Sequence, residues 1–277
     1  MEYLEFQFHT ADEQTAEILM ALLAEQGFDT FTQEQQELNA YIPADTLALE
    51  EIIAYISELQ QQFVFNWVHK KYADINWNAE WEKNFHPVII DDRCIIRAPF
   101  HEAPENIRYD IIIEPRMSFG TGHHASTYLM AVALLGIDCS GKEMADAGCG
   151  TGVLSILAAK KGAAHIYAVD NNEWAYHNAI DNIQLNGVGN SITLALGDLQ
   201  LFTGRKFDII LANINRSIIY DHIPLFFRCL PKGGLIIVSG ILQSAMPLIE
   251  ERASAYYLQK RSLLTKDDWA CAIFQAG

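Results

Sequence analysis

The sequence predicts a doubly wound α/β sheet that ends in an antiparallel hairpin, preceded by a small α+β domain. Three observations carry this. Between residues 142 and 255, short apolar runs of strand length alternate with runs of helix length, the pattern of a parallel sheet covered by helices. At the first such junction Gly148, Gly150 and Gly152 stand at alternate positions, removing side chains where a strand turns sharply into a helix. Over the first 68 residues the apolar period switches between two and 3.6 in the order βαββαβ. A chain of 277 residues, half of them hydrophobic, suits one large or two unequal domains with a sizeable core.

In chain order, Tyr3 to Phe8 alternates with period two and reads as a strand. Asp12 to Glu25 puts Ala16, Leu19, Met20 and Leu23 on one helical stripe, and Gly27 stops it. Phe28 to Thr32 and Leu38 to Ile42 read as strands joined by a polar turn. Asp45, after Pro43, is the expected cap of an amphipathic helix from Leu47 to Leu59. Phe63 to Val68 closes the set, a ferredoxin-like sandwich over residues 1–69. It holds no cluster of catalytic side chains and reads as a recognition module. Residues 70–86, polar with Trp77, Trp81 and Phe85, read as a helical linker ended by Pro87. The second domain then spans 87–277.

That domain opens on a hairpin, Val88 to Ile90 and Cys94 to Ile96, around Asp91-Asp92-Arg93. A strand from Ile111 to Ile113 enters the loop Phe119-Gly120-Thr121-Gly122-His123-His124, and a helix follows from Ser126 to Leu135. The glycines suit a flexible flap over a bound cofactor, with Gly120 and Thr121 as cofactor contacts and Phe119 as a candidate catalytic residue beside Asn213. The two histidines lack a third ligand at metal spacing, and a helix cap is the better reading, so no metal site is expected. Strand 142–147 leads through the glycine loop into the helix from Val153. Strand His165 to Asp170, helix Glu173 to Asn186, strands Ile192 to Asp198 and Lys206 to Asn213, and helix Ser217 to Leu230 come next. Strand Leu235 to Ser239, helix Ser244 to Ala255 and a hairpin of Tyr256 to Leu264 with Trp269 to Phe274 complete the chain. Ligands of such sheets bind at the carboxyl ends of the strands, where Asp146, Asp170, Asp198 and Asn213 fall.

Charge is unevenly spread. The net charge is −16, and residues 1–69 contain thirteen Asp or Glu and no Lys or Arg. Such a surface repels phosphate backbones, so direct nucleic-acid binding through it is not expected, and a basic protein is attracted to it. Solubility alone is the blander explanation of the same acidity. No apolar run approaches bilayer length, and Met1 to Glu5 lacks the basic and apolar segments of a signal peptide. Cys94, Cys139, Cys149, Cys229 and Cys271 form no CxxC pair, which suits reduced thiols in a cytoplasm.

The glycine loop points to a nucleotide-like cofactor, whose charged groups meet the free N–H groups at a helix start. Asp170, 22 residues after Gly148 and at a strand end, is placed to accept hydrogen bonds from both ribose hydroxyls. The spacing is GxGxG rather than the GxGxxG of a dinucleotide site, and Asp146 stands two residues before the first glycine. That carboxylate opposes a pyrophosphate and suits the amino and sulfonium groups of S-adenosyl-L-methionine. A Rossmann-like class I methyltransferase is therefore favoured over an NAD-dependent oxidoreductase, and no GK[ST] follows to make a P-loop. Asp146 and the loop amides of Gly148, Gly150 and Gly152 are expected to hold the methionine moiety. Asp198 is read either as a contact to the adenine amino group or as a loop cap. Asn213 is expected to accept a hydrogen bond from a substrate amine and aim its lone pair.

Asp146 to Leu154, Ala168-Val169-Asp170 and Ala212-Asn213-Ile214 resemble the class I methyltransferase motifs. With Phe119 to His124 and Ser239-Gly240-Ile241-Leu242, the whole chain resembles the bacterial methyltransferases of ribosomal protein L-eleven. The resemblance implies cofactor contacts at Thr127, Gly148, Asp170 and Asn213. It also implies that the first domain holds a lysine-rich ribosomal protein whose amines are methylated, with the linker repositioning that domain. The chain departs from the family pattern at Glu114-Pro115-Arg116, at Ser118 and at Asn215. A cytoplasmic monomer is expected. An N-methyltransferase of RNA or of a small molecule, and a non-catalytic module that only binds the cofactor, are the alternatives. The first would call for a basic stripe.

Overall fold

The computed structural model describes residues 3–34, 36–44, 46–72, 85–115 and 122–277. The chain divides into two compact units, Met1–Phe85 and His86–Gly277.

In the first unit the strands are β1 (Tyr3–Thr10), β2 (Thr30–Glu34), β3 (Glu37–Pro43) and β4 (Phe65–Tyr72), and the helices α1 (Glu13–Ala24) and α2 (Leu49–Leu59). The sheet order is β2-β3-β1-β4, and the pairs β1·β3, β1·β4 and β2·β3 are antiparallel. Alternation in β1 sends Leu4, Phe6 and Phe8 to one face, where they meet Ala16, Leu19 and Leu23 of α1 and Ile52, Ile56 and Leu59 of α2. Asp12 caps α1 by accepting from the Thr15 N–H at 2.7 Å. The cap expected for α2, Asp45, lies outside the described residues. The helix begins later than expected, at Leu49, with the Ala48 N–H donating to the Glu51 carboxylate (3.3 Å). Residues 70–72 extend β4 rather than opening a linker, because the register with β1 runs on to Tyr3↔Tyr72. Of the expected linker helix, residues 73–84 lie outside the described residues.

The second unit begins with β5 (Val88–Ile90), β6 (Cys94–Arg97) and β7 (Tyr109–Ile112). They form a separate three-stranded sheet in which β5·β6 is antiparallel and β6·β7 parallel. The turn between β5 and β6 holds Asp91 and Asp92 at φ near +50°, a conformation Asp tolerates better than most residues. The main sheet comprises β8 (Glu143–Ala147), β9 (His165–Asp170), β10 (Ile192–Leu196), β11 (Ile209–Asn213), β12 (Leu235–Leu242), β13 (Leu258–Lys266) and β14 (Trp269–Ala276). Its order is β10-β9-β8-β11-β12-β14-β13, parallel as far as β12 and then antiparallel through the terminal hairpin. This is the predicted doubly wound sheet with its antiparallel end.

Both faces are covered, as a parallel sheet requires. Met144, Ile166, Ala168 and Leu211 pack with residues of α3 (Ala125–Leu135), α4 (Val153–Lys160) and α5 (Glu173–Leu185). Ala145, Ala147, Tyr167, Val169, Ile210 and Ala212 pack on the other side with α6 (Arg216–Cys229) and α7 (Met246–Ala255). Strand order reverses between β8 and β11, opening a crevice at their carboxyl ends. β12 runs three residues beyond the expected Ser239, and its pairing with β14 shifts between Val238 and Ile241. Gly240, at φ +78°, makes that bulge.

Candidate functional site

The crevice holds a cavity of about 1230 Å³ lined by residues that include Gly148, Gly150, Asp170, Asn213, Gly240 and Trp269. Its floor is the glycine loop between β8 and α4. Gly148, Gly150 and Gly152 all take positive φ (+68°, +56° and +79°), which side-chain-bearing residues avoid. A Cβ at Gly148 would lie 2.4 Å from Ile214 Cγ2, and one at Gly240 would lie 2.5 Å from the Ile214 carbonyl oxygen. Two glycines distant in sequence, one in the loop after β8 and one in the bulge of β12, thus let Asn213-Ile214 settle into the crevice.

Asp170, at the end of β9, is buried except on the cavity side. Its Oδ2 accepts from the Gly150 N–H (2.8 Å) and its Oδ1 from the Asn172 N–H (2.9 Å). Each carboxylate oxygen has two lone pairs, so one on each remains for a ligand hydroxyl. Asp170 therefore braces the loop while presenting acceptors to the cavity.

Asn213, at the end of β11, donates from Nδ2 to Thr127 Oγ1 on α3 (3.2 Å). Its Oδ1 is buried and has no hydrogen-bond partner among the described residues. A buried acceptor without a donor costs about 1–3 kcal/mol, so the site is short of one donor that the described residues do not supply. Thr127 is buried behind Asn213 and does not line the cavity. It holds the plane of the amide in place.

Asp146 sits one layer below the loop rather than in the cavity wall, 1% exposed. Ser155 of α4 donates to its Oδ2 at 2.6 Å. Burial, opposed by the Ser155 bond and reinforced by the neighbouring negative charge of Asp170, pushes its pKa up to about 6. Burial also pushes the Cys149 thiol within the loop well up. Gly152 lies at the N-cap of α4, away from the cavity lining. Asp198 is exposed and accepts from the Gln200 N–H (2.8 Å) at the start of a short 3-10 turn, Leu199–Phe202. Of the two readings offered for it, the geometry supplies the cap.

His124 is the N-cap of α3, its Nδ1 accepting from the Ser126 N–H (3.2 Å), and its ring stands edge-on to Trp269 with centroids 4.5 Å apart. Among the described residues no group of three or more His, Cys, Asp or Glu could hold a metal ion. Phe119, Gly120 and Thr121, expected over the cofactor, lie outside the described residues.

Sequence reasoning missed much of the cavity's outer wall. Asn171, Asn172 and Trp174 reach it from the start of α5, and Trp269 from β14. Trp174 is 85% exposed. The one available signal was a tryptophan in the first turn of a polar helix, directly after the strand that ends on Asp170. Trp269 gave none, because only the sheet order brings β14 beside β12.

The family model described as "Ribosomal protein L11 methyltransferase (PrmA)" matches residues 6–277. A "Ribosomal protein L11 methyltransferase" of Phocaeicola vulgatus is 39% identical over 281 residues, 99% of each chain. One of Porphyromonas gingivalis is 39% identical over 288 residues, covering 99% of this chain and 98% of the relative. Among solved structures, a ribosomal protein L11 methylase from Lactobacillus delbrueckii subsp. bulgaricus superposes with a TM-score of 0.64 at 27% identity, covering 70% of this chain and 99% of that one. A methyltransferase from Pyrococcus furiosus, 18% identical, shares the fold with a TM-score of 0.52 over 60% of this chain and 89% of its own.

Proposed function

This chain belongs to the ribosomal protein L11 methyltransferase family, and on that premise we propose that it transfers methyl groups from S-adenosylmethionine to amines of ribosomal protein L11. The reading rests above all on one observation, the buried, unpartnered Oδ1 of Asn213, a residue that lines the cavity together with Asp170 and the glycine loop. An amine nitrogen carries the N–H that this oxygen lacks.

The residues fit the cofactor. Asp170 has acceptors to spare for ribose hydroxyls. Gly148 and Gly150 let backbone approach the ligand without a Cβ between them. Asp146, buried beneath the loop, places negative charge below the position a sulfonium or ammonium group would take. When bound, S-adenosylmethionine supplies a methyl group activated by the positive sulfur.

The chain's own residues do the rest. A free lysine amine titrates near about 10.4 and is protonated at neutral pH. Only the neutral amine has a lone pair for the methyl group. Desolvation against the apolar part of the cavity wall lowers that pKa by penalising the ammonium form. Asn213 Oδ1 accepts one of the remaining amine hydrogens, while Thr127, accepting from its Nδ2, holds the amide in place. The Asn213 amide is not itself a base at neutral pH, so its part is to position the amine rather than to take its proton. The acidic first unit supports a basic protein substrate through electrostatic attraction.

Tritiated methyl transfer from S-adenosylmethionine into purified ribosomal proteins and into ribosomal RNA tests the reading. Label is expected in L11. Label in RNA, or in neither, would overturn it.

A further inference from the structure

Helix α5 carries asparagines where an apolar residue is expected. Its buried face consists of Ala175, Asn178, Ala179, Asn182 and Ile183. Asn178, Asn182 and Asn186, the last just beyond the helix end, share one side because residues four apart stack on a helix. A buried amide is costly unless its hydrogen bonds are made, so the partners of these side chains say what they are for.

Asn182 is fully buried. Its Oδ1 accepts from the Glu114 N–H at 2.8 Å. Its Nδ2 donates to the Thr151 carbonyl oxygen at 2.9 Å and to Asn178 Oδ1 at 3.2 Å. Both amide hydrogens and the oxygen are thereby used. Asn186 pairs with β7 as a neighbouring strand would. Its Oδ1 accepts from the Ile112 N–H (3.0 Å), and its Nδ2 donates to the Ile112 carbonyl (2.6 Å) and to the Asn182 carbonyl (2.8 Å). β7 is the edge of its three-stranded sheet, and the two asparagines serve the backbone groups that this edge and its continuation leave open.

Thr151 is the residue between Gly150 and Gly152. The loop is therefore held from two sides, by Asp170 at the Gly150 N–H and by Asn182 at the Thr151 carbonyl. Three glycines at alternate positions, all with positive φ, have wide backbone freedom, so fixing them takes specific bonds.

We infer that Asn182 is a positioning residue for the cofactor loop, tying Thr151 to Glu114, two residues beyond β7, so that the glycine loop is preorganised for its ligand. The inference rests on the reading that S-adenosylmethionine occupies the cavity. Its loop bond contributes to ligand affinity by holding the bound form of the loop before the ligand arrives.

The test compares full-length variants by calorimetric titration with S-adenosylmethionine and by amide hydrogen exchange, well below their melting temperatures. Asn182→Asp keeps an acceptor for Glu114 and removes both donors. Its dissociation constant is expected to rise about tenfold, the worth of one preorganising hydrogen bond, with faster exchange at residues 148–152. Asn186→Ala breaks the β7 edge pair without touching the loop. It is expected to lower Tm while leaving the dissociation constant within about twofold. Asn182→Ser, which loses the same bonds without adding charge, serves if the aspartate variant does not fold. Unchanged affinity and exchange in the Asn182 variants, or an equal loss of affinity in Asn186→Ala, would overturn the inference. Failure of the unmodified chain to bind S-adenosylmethionine would instead sink the reading of the cavity.

Discussion

Replacing Asp146 by asparagine should make the protein more stable and a poorer binder of its cofactor. The folded protein keeps this carboxyl almost wholly out of water, with Ser155 Oγ at 2.6 Å as its partner, and its pKa is pushed up to about 6 from 3.8. At about 1.4 kcal/mol per pH unit, ionising it in the folded state costs on the order of 3 kcal/mol at neutral pH. Asparagine removes that cost and still accepts from Ser155, but it buries an amide N–H₂, which returns about 1 kcal/mol. A net gain of about 2 kcal/mol remains, a rise in Tm of about 4–8 °C for a unit of this size. The pH dependence has a definite sign. Because the folded pKa is raised, the penalty is fully present above pH 6. It shrinks as pH falls through about 6, and is gone below 3.8, where the carboxyl is protonated in both states. Calorimetric melting of both proteins between pH 4 and 8 checks this. A Tm difference that is absent at pH 7.5, or that is the same at pH 4 as at pH 8, would refute it.

Two further outcomes follow from the same geometry. Asp170→Ala removes the ribose acceptors and the brace on Gly150. With charge-assisted hydrogen bonds worth about 1.5–3 kcal/mol each, the dissociation constant for S-adenosylmethionine should rise by about 10²-fold or more, read by titration calorimetry. All five cysteines are buried, and burial pushes Cys94 and Cys271 up to about 12 and Cys139 up to about 11. Since the thiolate is the reactive form, none should react with Ellman's reagent at pH 8 in the native state, and all five should on denaturation.

The sheet was legible because a parallel strand covered on both faces must be largely apolar, and β9, β11 and β12 are apolar over most of their length. The glycine loop and Asp170 were legible for a similar reason, since backbone conformation and strand-end chemistry each demand particular residue types at short spacing. Contacts that cross the sheet were not. Thr127 meets Asn213 across 86 residues, and only a family resemblance pointed to it. Asp146 was expected in contact with the ligand, because its place in the motif is visible from sequence. Its depth beneath the loop is set by Ser155 and by side chains packed from both faces. The asparagines of α5 looked like ordinary polar helix residues. Their meaning depends on β7 lying alongside, and the separate sheet of β5, β6 and β7 was itself unforeseen beyond its hairpin.

Asn213 carries the proposed chemistry: its amide oxygen serves the attacking amine, and it takes little share in holding the cofactor. Methyl transfer into ribosomal protein L11 by Asn213→Ala, measured beside its affinity for S-adenosylmethionine, separates these roles. Turnover is expected to fall by about 10²-fold or more, the scale of a misplaced reacting group, with cofactor affinity within a few-fold of the unmodified chain. Unchanged turnover, or a loss explained wholly by failure to bind the cofactor, would contradict it.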